Sequence, residues 1–205
     1  MMRTKSAHPE AKEKILEAAQ TLMLGRGYNA TTVDEICQAA RLTKGSFFHY
    51  FKSKEHLGRE LLERFCCCSF KKLGEVCSCQ KEKDPLKRVY AYLDFMIKLS
   101  KDPMMAKGCL LGTLSQELSD TNPRMREVCA KGFAEWAEFL KRDLRAAKEK
   151  YAPKARFDPA TLADHLIAVI EGSQILAKAR QNPNILARNL DHFKQYLETL
   201  YARKT

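Results

Sequence analysis

Apolar residues recur every three or four positions along almost the whole chain, which is the spacing of amphipathic helices. The clearest short case is Val33, Ile36, Cys37 and Ala40, at i, i+3, i+4 and i+7. The sequence has no alternating strand pattern, no internal repeat and no low-complexity tract. It therefore predicts an all-α fold of about nine helices.

Capping residues and prolines set the expected helix boundaries. Asp84-Pro85, Asn122-Pro123 and Asp158-Pro159 each place a capping side chain before a proline, which suits a helix start, and Asp102-Pro103 should break a helix. Beyond the two short helices described next, the predicted helices run approximately over 9–25, 54–79, 84–100, 109–118, 123–151, 160–179 and 184–202.

The stretch from Thr31 to Leu57 predicts two short helices joined by a turn. Thr32 precedes the first apolar stripe, with Glu35 three residues later, as in a capping box. Thr43 offers the second N-cap, and the following helix turns Phe47 and Phe51 inward. Such a pair is a helix-turn-helix, whose second helix can enter a DNA major groove.

Several hydrogen-bonding side chains on this motif are candidate DNA contacts. The second helix should leave Lys44, Ser46, His49 and Tyr50 facing outward, and Lys54 begins the next helix, where its charge and the helix amides can meet a phosphate. The capping residues Thr32 and Thr43 complete the predicted DNA-binding set.

The run T-V-x-E-I-x-x-A-A-x-L-x-K-G-S-F-F-H-Y-F-x-S-K-E-x-L resembles the DNA-binding domain of the TetR family of one-component repressors, over about Ile15 to Leu57. There are two departures. Arg41 stands where the family usually has glycine, so the turn must accommodate a side chain. Phe48 stands where the family usually has tyrosine, so one hydroxyl is missing, and Tyr50 is a possible replacement.

The resemblance implies two domains and a homodimer. Residues 1–52 would form the helix-turn-helix domain and residues 53–205 the regulatory and dimerisation domain. The last two helices are apolar over more than one face, and the resemblance implies that they form a four-helix interface with a second copy. Two identical heads read a palindromic double-stranded DNA operator with half-sites about 34 Å apart or a multiple of it.

Charge and composition are consistent with this interpretation without deciding it. The net charge of +11 favours polyanionic partners, but the excess is not concentrated in the motif. No apolar run approaches the roughly 20 residues of a membrane span, and the N-terminal residues lack an apolar signal segment. We therefore expect a cytoplasmic protein without a membrane partner. The polar segment Met1–His8 is either a disordered end or an arm that touches DNA.

The eight cysteines do not predict disulfides in a reducing cytoplasm. Zinc is a second interpretation for Cys66, Cys67, Cys68, Cys77 and Cys79. On one continuous helix, however, Cys66 and Cys77 would lie about 16 Å apart, so only a break at Gly74 could bring them together. We predict no metal site and no cofactor, with most thiols packed as small hydrophobic groups.

The segment KGCLLGTLSQEL, from Lys107 to Leu118, resembles a subgroup of the family with a G-C-L-L-G-x-L motif in the regulatory domain. Cys109 is either a buried space-filling thiol or an electrophile- or oxidant-sensing one. Sensing requires a pKa lowered by a nearby cation or helix N-terminus. Lys178 is the candidate cation, because some redox-responsive relatives pair a cysteine and a lysine from corresponding segments.

A non-covalent small-molecule inducer is the competing signal. Tyr92, Phe95, Phe133, Trp136 and His165 lie on helices that enclose a pocket in this family, although a bundle also needs such aromatic residues for its core. His165 and Glu171 are the candidate polar contacts.

The sequence thus predicts a dimeric, ligand-responsive transcriptional repressor. One alternative is a structural DNA-binding protein without an inducer. The other is a cysteine-dependent enzyme that uses Cys109 with His165, but the chain lacks the common nucleotide-binding, hydrolase and metalloprotease motifs.

Overall fold

The structure is a computed structural model that describes residues 9–78 and 82–201. Within those ranges the chain forms helices only. They are α1 (Pro9–Arg26), α2 (Val33–Ala40), α3 (Lys44–Tyr50), α4 (Lys54–Val76), α5 (Pro85–Leu99), a 3₁₀ turn (Met105–Lys107), α6 (Leu110–Leu118), α7 (Pro123–Tyr151), α8 (Pro159–Ala179) and α9 (Asn184–Tyr201). The predicted all-α fold is confirmed.

The helices begin where the capping residues placed them. Asp84 Oδ1 accepts hydrogen bonds from the amides of Leu86 and Lys87, each over 3.0 Å, and starts α5. Asn122 and Asp158 cap α7 and α8 in the same way, and each helix has proline in its first turn. The 3₁₀ turn was not predicted from the sequence. It ends at Gly108, whose φ of 105° is left-handed backbone that favours glycine.

The predicted α4 ended too late. The helix runs without a break through Gly74 and stops at Val76, with Cys77 as its C-cap. Cys66 and Cys77 therefore lie on one continuous element and are not folded together. Among the described residues, no three His, Cys, Asp or Glu side chains are placed to hold a metal ion. Cys79 and the predicted N-terminal arm, Met1–His8, lie outside those residues.

Buried apolar side chains form two clusters that share α4. The first joins α1, α2 and α3 to the start of α4, to α6 and to the start of α7, and it includes Leu57, Leu61 and Leu114. The second lies between α5, α7, α8 and α9 and takes Leu73 from the far end of α4. Because α6 belongs to the first cluster and packs against α1, a helix of the C-terminal part is joined directly to the N-terminal helices.

The sequence predicts no membrane-spanning segment, and the length and apolar character of the helices can be compared with that prediction. None of the helices in the described part of the chain is long and apolar enough to cross a membrane.

Candidate functional site

The first helix of the helix-turn-helix motif begins at a complete capping box. The Glu35 amide donates to Thr32 Oγ1 over 3.3 Å, and the Glu35 carboxylate accepts from the Thr32 amide over 2.9 Å. The helix ends at Arg41, which adopts left-handed backbone with φ 55° and ψ 42°. Arg41, at the position where the family usually has glycine, thus adopts the left-handed backbone that glycine favours while carrying a side chain.

On the second helix, α3, two of the four side chains predicted to face outward are exposed and two are half-buried. Thr43 Oγ1 accepts from the Ser46 amide over 3.1 Å and caps the helix. Phe47 and Phe51 are fully buried, as the apolar spacing predicted. Lys44 and His49 are exposed, and Ser46 and Tyr50 are half-buried. Phe48 shares this outer surface with 54% of its area exposed.

The outward side chains already have neighbours within the motif. The Lys44 ammonium group lies 2.7 Å from Asp34 Oδ1, and this hydrogen bond raises the pKa of Lys44. An ion pair between exposed groups contributes little free energy, so DNA can displace it. The ring of His49 packs edge-on against that of Tyr50, with centroids 4.7 Å apart.

Lys54 occupies a different environment from the predicted one. Its ammonium group donates hydrogen bonds to the carbonyl oxygens of Tyr28 (3.1 Å) and Thr31 (3.0 Å) and lies 4.3 Å from the centre of the Tyr28 ring. Burial lowers the pKa of this ammonium group. Lys54 therefore ties the α1–α2 loop to the start of α4, and a phosphate contact through its side chain would have to break these bonds.

The same loop is also held by a helix of the C-terminal part of the chain. Glu117 on α6 accepts hydrogen bonds from the amide of Tyr28 (Oε1, 2.9 Å) and the amide of Asn29 (Oε2, 2.8 Å). Gly27, with φ 94°, lies against this carboxylate. Sequence reasoning missed Glu117, because nothing near it in the chain shows that its partners lie on the α1–α2 loop.

A cleft of about 360 Å³ opens beside Glu117, between α6, α8 and the end of the 3₁₀ turn. We call it the α6–α8 cleft. It is lined by Lys107, Gly108, Cys109, Thr113, Gln116, Glu117, Glu171, Gln174, Ile175, Lys178 and Ala179. The predicted neighbours Cys109 and Lys178 both line it. The Lys178 ammonium group donates to the carbonyl oxygen of Leu24, near the end of α1, over 3.1 Å.

Cys109 is the N-cap residue of α6 and its thiol lies against Glu171. Burial raises the pKa of the Cys109 thiol well above its usual value, and the adjacent Glu171 carboxylate raises it further. Hydrogen bonds from the amides of Gly112 and Leu111 lower the pKa of Cys109, but by less than burial and the carboxylate raise it. The lowered pKa that a sensing thiol requires is therefore not present: the helix N-terminus is there, but burial and a carboxylate outweigh it.

Two oxygen atoms in the cleft wall are buried without a protein partner. Gln174 is 5% exposed, and its Oε1 has no hydrogen bond to any described residue. Glu171 Oε1 is also buried and has no hydrogen-bond partner within residues 9–78 and 82–201. Burial raises the pKa of Glu171, and its hydrogen bond with Cys109 partly offsets the rise. Unpartnered buried acceptors are uncommon and mark a place where a ligand can bind.

The aromatic residues predicted to line a pocket do not line this cleft. Tyr92 is fully buried, and its hydroxyl oxygen accepts a hydrogen bond from Trp136 Nε1 over 3.0 Å. Phe133 stacks on Trp136, and Phe95 packs against the second cluster. These four residues form core contacts instead, because the same helical spacing serves a bundle interior.

His165 was predicted to lie at a pocket, and it also lies elsewhere. It is exposed on α8 and packs edge-on against Phe193 and Tyr196 of α9, with ring centroids 5.5 and 5.7 Å away. It does not line the α6–α8 cleft, so it cannot act as a base for Cys109 there. Of the two predicted polar contacts, only Glu171 is in the cleft.

The last two helices expose apolar surface. Leu176 on α8 and Tyr196 on α9 are 40% and 41% exposed, and Ile175 is also exposed. The small residue Gly172 has open space at its Cβ position. Exposed large hydrophobic side chains of this kind mark interaction surfaces.

Family models match both parts of the chain. The model of bacterial regulatory proteins of the tetR family covers residues 15–61, and that of the tetracyclin repressor-like C-terminal domain covers residues 85–193. With a helix-turn-helix at one end and a matching helical domain over half of its length, this chain belongs to the TetR family of transcriptional regulators.

Individual relatives agree with this assignment. The chain is 28% identical to the transcriptional repressor NemR of Escherichia coli strain K12, over 95% of this chain and 98% of NemR. It is 28% identical to the transcriptional repressor DhaR of Mycobacterium sp. strain GP1, over 86% of each chain.

Two crystal structures resemble the whole fold. The structure of the reduced form of E. coli NemR aligns with a TM-score of 0.76 at 28% identity, covering 94% of this chain and 98% of the other. The regulatory protein TetR from Rhodobacter sphaeroides aligns with a TM-score of 0.81 at 27% identity, covering 91% and 98%.

Proposed function

We propose that this protein is a homodimeric transcriptional repressor that binds a palindromic operator and leaves it when the α6–α8 cleft is occupied or Cys109 is modified. Two of its similar relatives are named as transcriptional repressors. The proposal divides the chain into a DNA-binding domain, residues 1–52, and a regulatory and dimerisation domain, residues 53–205.

The DNA contacts proposed are those on the outer face of α3 and at the N-caps of α2 and α3. Lys44, Ser46 and His49 are placed to reach base edges, while Tyr50 and the two capping threonines, Thr32 and Thr43, are placed nearer the backbone. One α3 helix reads few bases, so operator recognition requires two heads. The exposed apolar surface of α8 and α9 supplies the dimer interface.

The observation that carries the regulatory proposal is the position of the cleft. Two residues that line it, Glu117 and Lys178, also hold the α1–α2 loop and the end of α1. A ligand or adduct in the cleft disturbs these contacts directly. The helix-turn-helix then changes its position relative to the dimer, and the two heads no longer match successive major grooves.

A thiol trigger at Cys109 and a non-covalent inducer act on the same contacts. The relative crystallised as a reduced form is consistent with thiol chemistry in a related regulator. His165 does not line the cleft, which argues against a cysteine-dependent enzyme, and a regulator of DNA acts in the cytoplasm. A purely structural DNA-binding protein would have no use for a cleft that contacts its DNA-binding head.

The test is DNA binding with and without a thiol reagent. The protein should bind DNA upstream of its own gene in a fluorescence anisotropy titration, and diamide or a quinone should release it. Cys109→Ser should bind DNA normally and resist release, whereas Cys67→Ser, which changes an exposed thiol on α4, should respond like the wild type. If the protein binds none of this DNA, the proposal that it is a repressor is refuted. An undiminished response of Cys109→Ser refutes the thiol trigger and leaves the non-covalent ligand.

A further inference from the structure

Resting on the proposed function, we propose that Glu171 is the proton acceptor that activates the Cys109 thiol toward an uncharged α,β-unsaturated carbonyl compound bound in the α6–α8 cleft. The two side chains are hydrogen-bonded, and both face the cleft. Glu171 lies on α8 and Cys109 at the start of α6, so two separate helices bring the base and the nucleophile together.

The packing around Glu171 holds its carboxylate in this position. Glu171 Oε2 occupies the space that a side chain at Gly112 would need. The other oxygen, Oε1, is buried and has no hydrogen-bond donor among the described residues. On the same helix, the nearly inaccessible Gln174, which also lines the cleft, has a second buried oxygen without a hydrogen-bond donor among the described residues. The wall of the cleft is therefore suited to bind a small molecule as well as to fill space.

The protonation state of Cys109 explains why a base is needed. Its raised pKa keeps the thiol protonated near neutral pH, and a protonated thiol is a poor nucleophile. The pKa of Glu171 is also raised by burial, which makes it a stronger base than an ordinary carboxylate once it is ionised. Cys109 is the only cysteine among the residues that line the cleft, so a disulfide cannot form there between lining residues.

The addition step balances without an oxidant. The Cys109 sulfur forms a bond to the β-carbon of the unsaturated carbonyl compound while the thiol proton moves to Glu171. The electron pair of the carbon–carbon double bond shifts toward the carbonyl oxygen and gives an enolate. The α-carbon of the enolate takes the proton back from Glu171, which returns to its carboxylate form. The product is a thioether, and no atom has been oxidised by an outside reagent.

A merely electrostatic role for Glu171 predicts the opposite result. If the carboxylate only raised the pKa of Cys109, Glu171→Gln would lower that pKa, increase the thiolate fraction and speed the reaction. If Glu171 accepts the proton, the same substitution slows it. The sign of the effect separates the two roles.

The experiment measures the rate at which 2-cyclohexen-1-one modifies Cys109 in the full-length protein at pH 7. Trypsin releases residues 108–124, a peptide in which Cys109 is the single cysteine, so mass spectrometry follows this site alone. Glu171→Gln should lower the rate about 100-fold, the low end of what a positioned general base contributes. Asp164→Asn, an exposed change on the same helix, should leave it unchanged.

A second variant tests the same geometry without removing the carboxylate. Gly112→Ala places a methyl group where Glu171 Oε2 lies, which displaces the carboxylate from the thiol, and it should also slow the reaction. Far-UV circular dichroism checks that each variant is folded. Glu171→Asp, which keeps the acid on a shorter side chain, should recover part of the rate lost in Glu171→Gln.

The pH profile gives a readout that a structural role would not change. The wild-type rate should fall as the pH drops through the pKa of Glu171, and Glu171→Gln should lack this step and rise only as the thiol ionises in alkaline solution. A Glu171→Gln rate equal to or above that of the wild type overturns the inference. An adduct that forms normally but leaves DNA bound overturns the proposed trigger instead, and the role of Glu171 stands.

Discussion

The carboxylate of Glu117 occupies the space that a side chain at Gly27 would need. Gly27 also has a φ of 94°, in the left-handed region. From this position the Glu117 carboxylate accepts hydrogen bonds from the amides of the next two residues, Tyr28 and Asn29. A helix of the regulatory part thus closes the loop that leads into the DNA-binding motif, and only glycine leaves room for the contact.

Gly27→Ala should destabilise the protein and weaken DNA binding. The alanine suffers left-handed strain and pushes Glu117 off the two amides, for a combined loss of about 2–4 kcal/mol in the free energy of unfolding. The measurement is chemical denaturation, paired with operator titration.

Gly25→Ala is the matched control, two residues away in α1 with nothing within 4 Å of its Cβ position. Because alanine is the better helix residue, this variant should gain about 0.5–1 kcal/mol or stay neutral. Equal effects of the two substitutions would contradict the Glu117 contact.

Lys54→Met should lower stability because it removes two charge-assisted hydrogen bonds to the carbonyl oxygens of Tyr28 and Thr31. We expect a loss of about 1–3 kcal/mol in the free energy of unfolding. Lys52→Met, an exposed neighbour, should change stability by less than about 0.5 kcal/mol. If Lys54→Met instead keeps full stability and reduces the salt dependence of DNA binding by about one unit of slope, Lys54 contacts phosphate as the sequence predicted.

Tyr196→Glu should convert the dimer to a monomer by placing a charge in the apolar surface of α8 and α9. We expect the dimer dissociation constant to rise at least about 100-fold, because a buried unpaired carboxylate is costly. Analytical ultracentrifugation over a range of concentrations measures this. Phe48→Glu changes another exposed aromatic residue outside that surface and should remain dimeric, while a monomeric wild type would contradict the interface altogether.

Lys44→Ala should alter base preference at one position of each half-site, with a loss of about 1–3 kcal/mol in discrimination there. Its ammonium group stands on the outer face of α3, in an exposed ion pair with Asp34. Selection from a randomised operator library measures the preference. Lys131→Ala, on the surface of α7, should leave the preference unchanged; a uniform loss across all sequences for Lys44→Ala would indicate a phosphate contact instead.

The sequence predicted those features that depend on residues close in the chain. Thr32, Thr43 and Asp84 cap helices through amides two or three residues away, so their pattern is readable directly. The contacts that couple the cleft to the DNA-binding motif are different. Tyr28 and Glu117 are 89 positions apart, and Leu24 and Lys178 are 154 apart.

The errors have the same origin. Helical spacing shows that His165 and Trp136 lie on helices, but it does not show which neighbouring helix each one meets. The pKa of Cys109 could not be inferred from the chain because its carboxylate neighbour, Glu171, comes from another helix. The motif around Cys109 drew attention to this segment, but it could not show the carboxylate that the fold places beside the thiol.

Phe48 gives the DNA-reading helix an unusual chemical property. Phe48 is 54% exposed on that helix, and a phenyl ring has neither a donor nor an acceptor. Wherever it meets an operator, it can favour thymine through the C5-methyl group and cannot select a base by hydrogen bonding. We therefore expect part of the target sequence to be selected by apolar contact and shape, and that share of the selectivity should persist in concentrated salt.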